Sequence, residues 1–159
     1  MMGLLYIHMN KLTITPVRKI TKWQAAKVPE LFTHLDESFE STQLFAVYDP
    51  DLGKTAHSRF VGAMMVNFEC FAVKNGKFIF DIYIDKFEIA KHKHGKGYGR
   101  AMYETFLSKY NIPDKVALCH VALCHVITIK DGGASYRFWR HMGFHKPDAD
   151  FDRMEKTYK

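Results

Sequence analysis

The chain has 159 residues, of which 47% are hydrophobic and 25% are charged, and this composition excludes a disordered or collagen-like protein. The length suffices for one substantial core, so we expect a single domain over residues 1–159, with residues 1–10 as an N-terminal extension. A formal net charge of +6 favours an anionic ligand, which could be nucleic acid, an acidic protein or a phosphorylated cofactor.

Targeting signals and cysteine spacing point to the cytoplasm. The apolar N-terminus lacks a basic leader and a cleavage site, so it is a poor signal peptide, and no apolar stretch approaches the roughly 20 residues that span a bilayer. Cys70, Cys119 and Cys124 form neither an even disulfide framework nor a Cys-x-x-Cys metal motif. We therefore expect a cytoplasmic protein without a membrane partner, with reduced thiols and no metal.

In the N-terminal third, alternating apolar residues predict a strand over Lys11–Val17. Thr21 is a candidate N-cap for a helix with one apolar face, which extends to about Asp36. A second strand is predicted over Gln43–Tyr48, and the residues that follow, Asp49–Gly53, favour a turn.

A long β-hairpin is predicted in the middle of the chain. Phe60–Val73 and Phe78–Ala90 are rich in β-branched and aromatic residues, and such residues favour strands. Asn75-Gly76 lies between them and is a strong signal for a tight hairpin turn.

The second half begins with a basic, glycine-rich loop from Lys91 to Gly99, which precedes a predicted helix over Arg100–Tyr110. Val116–Ile129 reads as a strand, Ala134–Met142 as a helix that ends at Gly143, and Phe144–Tyr158 as a closing strand pair or hairpin. The whole order predicts a layered α/β domain.

One strand contains an exact duplication, in which Val116–His120 is repeated as Val121–His125. With strict alternation along a strand, an odd repeat places equivalent side chains on opposite faces. Cys119 and Cys124 would then not converge on one metal, and we expect a core strand here.

The glycine loop has the features of a phosphate site. His94–Gly99 follows a strand and opens a helix, so backbone N–H groups and the helix N-terminus can face an anion. Lys91, Lys93, Lys96 and Arg100 add positive charge around it. The spacing fits neither a nucleotide triphosphatase loop nor a dinucleotide fingerprint, and a glycine-rich turn with a solvated basic face is the alternative.

Two segments resemble the signatures of the GNAT N-acetyltransferases. The stretch from Ile89 to Met102 resembles the family's Arg/Gln-x-x-Gly-x-Gly/Ala motif, with His94 at the Arg/Gln position. The stretch from Asp131 to Phe144 resembles its Asn-x-x-Ala…Phe-Tyr-x-x-x-Gly-Phe segment. The resemblance implies an α/β (α+β) fold with a mixed, largely antiparallel twisted sheet and helices on both faces.

The resemblance also implies acetyl-CoA as co-substrate. In the family, the strand before the loop bulges and splays from its neighbour, its backbone pairs with the pantetheine arm, and the loop amides bind the pyrophosphate. The cofactor-binding residues it implies here are Ile89, Ala90, Lys91, His94, Gly95, Lys96, Gly97, Tyr98, Gly99, Arg100, Asp131 and Trp139. Asp131 also suits a helix cap, and Trp139 also suits packing in the core.

The catalytic groups are less clearly marked. Glu88, Asp85 and Asp81 are candidate bases, and alternation would place Glu88 on the opposite face from the other two. Many family members have a tyrosine where this chain has Trp139, whose indole is not a practical proton donor. Tyr136, one turn earlier, or water would then protonate the leaving thiolate.

Three functions stay open at this point. The first is acetyl transfer to a primary amine, with a small amine, a peptide N-terminus or a protein lysine as acceptor. The second is a non-catalytic acyl-CoA-binding module, which the missing tyrosine motivates. The third, which we consider less favoured, is nucleic-acid binding, motivated by the net charge. A homodimer is compatible with the family.

Overall fold

The computed structural model describes residues 12–29, 42–74, 77–110, 119–127, 134–146 and 153–157. Within these ranges, six strands form one sheet in the order of the sequence. The strands are β1 (Thr13–Val17), β2 (Thr42–Tyr48), β3 (Phe60–Lys74), β4 (Lys77–Ile89), β5 (Cys119–Ile127) and β6 (Arg153–Thr157).

The sheet is mixed, as predicted. β4 and β5 pair in parallel, whereas the other neighbouring strands pair antiparallel. Parallel neighbours need a crossover connection, and helix α3 (Tyr98–Tyr110) lies in the chain between β4 and β5. The predicted largely antiparallel sheet is therefore confirmed.

Helices cover both faces of this sheet. On one face, α3 and α4 (Ala134–His141) pack on a cluster that includes Phe45, Met64 and Ile82. On the other face, α1 (Lys22–Lys27) and its flanking residues pack on a smaller cluster around Phe60 and Ala63. None of the helices in the described ranges has the length and apolar character needed to cross a membrane.

Helix α1 begins where the sequence predicts but ends much earlier. Thr21 caps it in a capping box, in which the Thr21 hydroxyl accepts from the Gln24 N–H and the Gln24 side chain accepts from the Thr21 N–H. The last helical residue is Lys27. The predicted extension of the helix to about Asp36 is therefore wrong for Val28 and Pro29, which are not helical. Pro29 explains the end, because a proline disfavours helical backbone at the residue before it. Residues 30–41 lie outside the description.

The predicted hairpin is confirmed. β3 and β4 pair antiparallel down to Lys74 opposite Lys77, so two residues connect them, and Asn75-Gly76 themselves lie outside the described residues. A short helix, α2 (Ala56–Arg59), precedes β3 and was not predicted. Helix α3 begins two residues before the predicted Arg100.

Of the closing strand pair expected over Phe144–Tyr158, the described residues contain one strand, β6, and a bridge residue, His145, while residues 147–152 and 158 lie outside the description. β6 pairs antiparallel with β5. Helix α4 ends as predicted, because Gly143 has a φ of 92° and the N–H groups of Gly143 and Phe144 donate to the carbonyls of Arg140 and Trp139. These paired bonds form a Schellman cap, for which glycine is favoured.

The duplicated segment does not follow strict alternation. Cys119 lies opposite Phe78 and Cys124 lies opposite Ile82, so five residues on β5 match four on β4, and the register shifts between Phe80 and Asp81. The prediction that the odd repeat separates equivalent residues rests on uninterrupted pairing, which this irregularity breaks.

Candidate functional site

The candidate site begins at the C-terminal part of β4. Asp85 has no partner of its own on β3, because Lys86 pairs with Met65 and Ile84 pairs with Val66, which makes a β-bulge. The pairing of β4 with β5 ends at Ile84 opposite Val126. From Asp85 to Ile89, β4 therefore has no β5 partner among the described residues. Its edge on that side can pair with an extended ligand.

After β4 the chain turns sharply into the glycine loop. The Ala90 N–H donates to the Val61 carbonyl over 2.8 Å, and a single 3-10 turn follows over Lys91–Lys93. Gly95 and Gly97 have φ values of 73° and 84°. Glycine adopts this left-handed region at little cost, so the two residues allow the loop to reverse before α3.

His94 holds the two ends of this turn together. Its Nε2 lies 2.8 Å from the carbonyl oxygen of Ile89. Because a carbonyl oxygen only accepts, the Nε2 must carry the proton. The residue at the Arg/Gln position of the motif thus fixes the carbonyl at the end of β4.

Helix α3 presents its N-terminus to the same loop. The Gly97 carbonyl accepts the Ala101 N–H, so the N–H groups of the first helical residues have no acceptor within the helix. Lys91 and Lys96 are exposed beside them. Arg100 is also exposed, and its Nε donates to Glu104 over 2.8 Å, which partly neutralises its charge. The loop therefore combines backbone donors with positive charge.

The Tyr98 side chain makes a buried contact that the sequence did not predict. Its side chain is 5% exposed, and its hydroxyl donates to Asp49 Oδ2 over 2.7 Å. Burial, followed by the bond to Asp49 and the charges of Asp49 and Asp51, raises the Tyr98 pKa well above its usual range. The side chain anchors the first residue of α3 to the residue that follows β2. Sequence patterns do not predict this contact, because 49 residues separate the partners.

Gly99 is also explained by packing. A Cβ built at Gly99 would lie 3.1 Å from Cε2 of Phe138 on α4. The absence of a side chain lets α3 approach α4 closely. At Gly95, by contrast, an added Cβ would meet nothing within 4 Å.

The two aromatic candidates on α4 differ in exposure. Trp139 is 2% exposed and makes edge contacts with Phe87, Tyr103, Phe138 and Phe144, so its indole is a packing group. Tyr136 is half-buried at the margin of the same cluster. Asp131 lies outside the described residues.

The candidate bases lie on β4. Glu88 is 9% exposed and opposite Ala63, while Asp85 is half-buried at the bulge. Burial raises the Asp85 pKa, and the neighbouring Lys86 charge only partly opposes this. The predicted separation of Glu88 from Asp85 assumed strict alternation along β4, and the bulge at Asp85 interrupts that alternation. Before the bulge the even-numbered residues Ile82 and Ile84 face the core under α3 and α4, and after the bulge the odd-numbered residues Phe87 and Ile89 do so. The side chain of Asp81 is outside the description.

No protein-family model matches the sequence, and no curated protein matches it either. Solved structures do match. AtaTR bound with AcCoA superposes with a TM-score of 0.62 at 15% identity, covering 93% of this chain and 94% of the other. NAA60 of Arabidopsis thaliana, in complex with a bisubstrate analogue, gives a TM-score of 0.60 at 9% identity, covering 93% of this chain and 99% of the other. AtaT complexed with acetyl-methionyl-tRNAfMet gives a TM-score of 0.57 at 11% identity, covering 92% of this chain and 94% of the other.

These matches extend over nearly the whole length of both chains. Their TM-scores of 0.57–0.62 at 9–15% identity indicate a shared fold. The chain therefore has the fold of the GNAT N-acetyltransferases.

Proposed function

We propose that this protein transfers the acetyl group of acetyl-CoA to a primary amine by direct attack in a ternary complex. The observation that carries the proposal is the geometry at the end of β4. The strand bulges at Asp85, loses its β5 partner after Ile84, and runs directly into a loop with backbone donors and positive charge. A pantetheine arm can pair with the open edge while its pyrophosphate meets the loop.

The loop and strand would orient the thioester. The N–H groups at the start of α3, together with Lys91 and Lys96, suit the pyrophosphate. A backbone N–H of the unpaired segment of β4 would stabilise the oxyanion that develops on the thioester carbonyl. The gain comes from holding the carbonyl beside the amine.

Transfer needs a base for the amine proton. The neutral amine attacks the carbonyl carbon, the C–S bond breaks, and the proton that the amine loses passes to a carboxylate directly or through water. Glu88 and Asp85 are the candidates on β4. Asp85 has the more favourable position, because it lies at the bulge where β4 leaves β5. Its raised pKa also makes it a stronger base than an ordinary aspartate.

The leaving thiolate needs a proton. Trp139 is buried among aromatic rings, which supports protonation by Tyr136 or by water. Tyr136 has the exposure that a contact with the cofactor would need. The non-catalytic acyl-CoA-binding module remains the competing function, and it predicts binding without turnover.

The first test is calorimetric titration with acetyl-CoA. Lys96→Glu reverses a charge in the loop, and Lys19→Glu makes the same change at an exposed residue between β1 and α1. We expect wild type and Lys19→Glu to bind, and Lys96→Glu to bind much more weakly. Equal binding by both variants would place the cofactor elsewhere, and no binding by wild type would refute the proposal.

The second test is release of free CoA across a panel of acceptors. The panel contains small amines, a peptide N-terminus, a lysine peptide and an aminoacyl-tRNA, since NAA60 is seen with a bisubstrate analogue and AtaT with acetyl-methionyl-tRNAfMet. Amine-dependent release supports the transferase, and binding without release on any acceptor supports the binding module.

A further inference from the structure

A basic and aromatic surface lies on the α1 side of the sheet, next to the glycine loop. We call it the Trp23 surface, and it consists of Trp23 and Lys27 on α1, His57 on α2, and His92 and Lys93 in the turn after β4. These residues come from three separate segments, and the sequence therefore shows no basic-aromatic stripe.

An indole–imidazole stack forms its centre. The rings of Trp23 and His57 are parallel within 18°, with centroids 4.0 Å apart. The Trp23 ring also makes an edge contact with the buried ring of Phe60. His57 is exposed, so its imidazole ring is accessible to a ligand.

Positive charge surrounds this stack. Lys27 Nζ lies 5.5 Å from the Trp23 ring centroid and donates to the His57 carbonyl. The pKa of His92 is lowered first by burial and then by the charges of Lys93, Lys27 and Lys96. The three lysines therefore lie close enough to His92 to disfavour its protonated form. Within the described residues, no carboxylate forms an ion pair with Lys27, His57, His92 or Lys93.

The proposed cofactor site accounts for only part of this charge. The start of α3 belongs with the helices that pack on the Phe45 and Met64 face of the sheet, whereas Trp23 packs with the cluster on the opposite face. Lys96 and the loop suit the pyrophosphate, but the stack and Lys27 lie toward the other face.

We infer that the Trp23 surface binds single-stranded nucleic acid, with a base stacked on His57 and backbone phosphates on Lys27 and Lys93. Aromatic platforms combined with a positive groove are the usual means of binding single strands. An acidic peptide would use the cations but would leave the stack without a function. The inference rests on the proposed function in one respect, because it names the class of acceptor that would carry the amine.

The test uses a fluorescein-labelled single-stranded RNA of about 12 nucleotides, a length within the usual site size of such surfaces. Its binding is followed by anisotropy at several salt concentrations, with and without saturating acetyl-CoA. Lys27→Gln removes one charge from the Trp23 surface, and Arg140→Gln removes one from an exposed position on α4. His57→Ala removes the platform, and His57→Phe restores a ring.

We expect His57→Ala to weaken RNA binding at least about fivefold, the low end of what one stacked base contributes, and His57→Phe to recover most of it. Lys27→Gln should reduce the slope of log K against log salt by about 1, and Arg140→Gln should not. The affinity of Lys27→Gln for acetyl-CoA should equal that of wild type.

Several results would overturn the inference. One is an equal loss for Lys27→Gln and Arg140→Gln, which would indicate net charge alone. A second is displacement of the RNA by acetyl-CoA, which would assign the nucleotide chemistry to the cofactor. A third is equally tight binding of polyglutamate. Failure of acetyl-CoA binding with intact RNA binding would instead refute the proposed transferase and leave this surface standing.

Discussion

The buried bond between Tyr98 and Asp49 leads to a quantitative prediction for Tyr98→Phe. The two side chains are 5% and 7% exposed, and the substitution removes only the hydroxyl that donates to Asp49 Oδ2. A hydrogen bond to a charged group contributes about 1.5–3 kcal/mol, and the buried oxygen left without a donor adds to the loss. We expect the free energy of unfolding to fall by about 2–3 kcal/mol, and Tm to fall by about 4–12 °C.

The pH dependence provides a second readout. The folded state raises the Tyr98 pKa above its ordinary value of about 10. Its contribution to stability is therefore complete below about pH 10 and is lost as the pH rises above that value. Wild-type stability should decline more steeply than that of Tyr98→Phe in alkaline solution. Because Tyr98 begins α3, we also expect Tyr98→Phe to bind acetyl-CoA a few-fold more weakly.

Urea denaturation and calorimetry measure these quantities, and Tyr48→Phe is the matched control. Tyr48 accepts a bond of 2.9 Å from the neutral Gln24 side chain, away from the loop. We expect the control to lose about 1 kcal/mol and to keep its affinity for acetyl-CoA. Equal destabilisation in the two variants, or unchanged stability in Tyr98→Phe, would refute the reasoning.

Three further predictions follow from packing and charge. Gly62→Ala should destabilise by about 1–3 kcal/mol in thermal unfolding, because the new Cβ would lie 2.6 Å from the backbone oxygen of Glu88; unchanged stability would contradict this contact. Asp85→Asn should raise stability at neutral pH, with the gain vanishing below about pH 4, because burial raises the Asp85 pKa; if Asp85 is the base, kcat should fall at the same time. Trp139→Phe should destabilise in urea denaturation while kcat stays within a few-fold of wild type, since the indole is a packing group. A loss of kcat by orders of magnitude in a folded Trp139→Phe would contradict that role.

Local signals in the sequence determined several elements. Thr21 caps α1 as predicted, because a capping hydroxyl acts within one helical turn. The Asn75-Gly76 signal sets a two-residue connection, and β3 and β4 pair around it. Gly143 ends α4 for the same kind of local reason. The glycine loop between strand and helix was recognisable for the same reason, since its residues are contiguous.

Other features depend on partners distant in the chain. The bulge at Asp85 is a matter of register between β3 and β4, and it shifts the core-facing positions of β4 so that simple alternation fails. Gly99 is adjacent to Phe138 only because α3 packs against α4, and the stack of Trp23 on His57 forms only because the fold brings α1 next to α2. The sequence by itself determined the order of the strands, of α1, α3 and α4, and the glycine loop, because these depend on neighbouring residues. The tertiary structure alone decided which side chains face that loop, because that depends on strand register and helix packing across the whole chain.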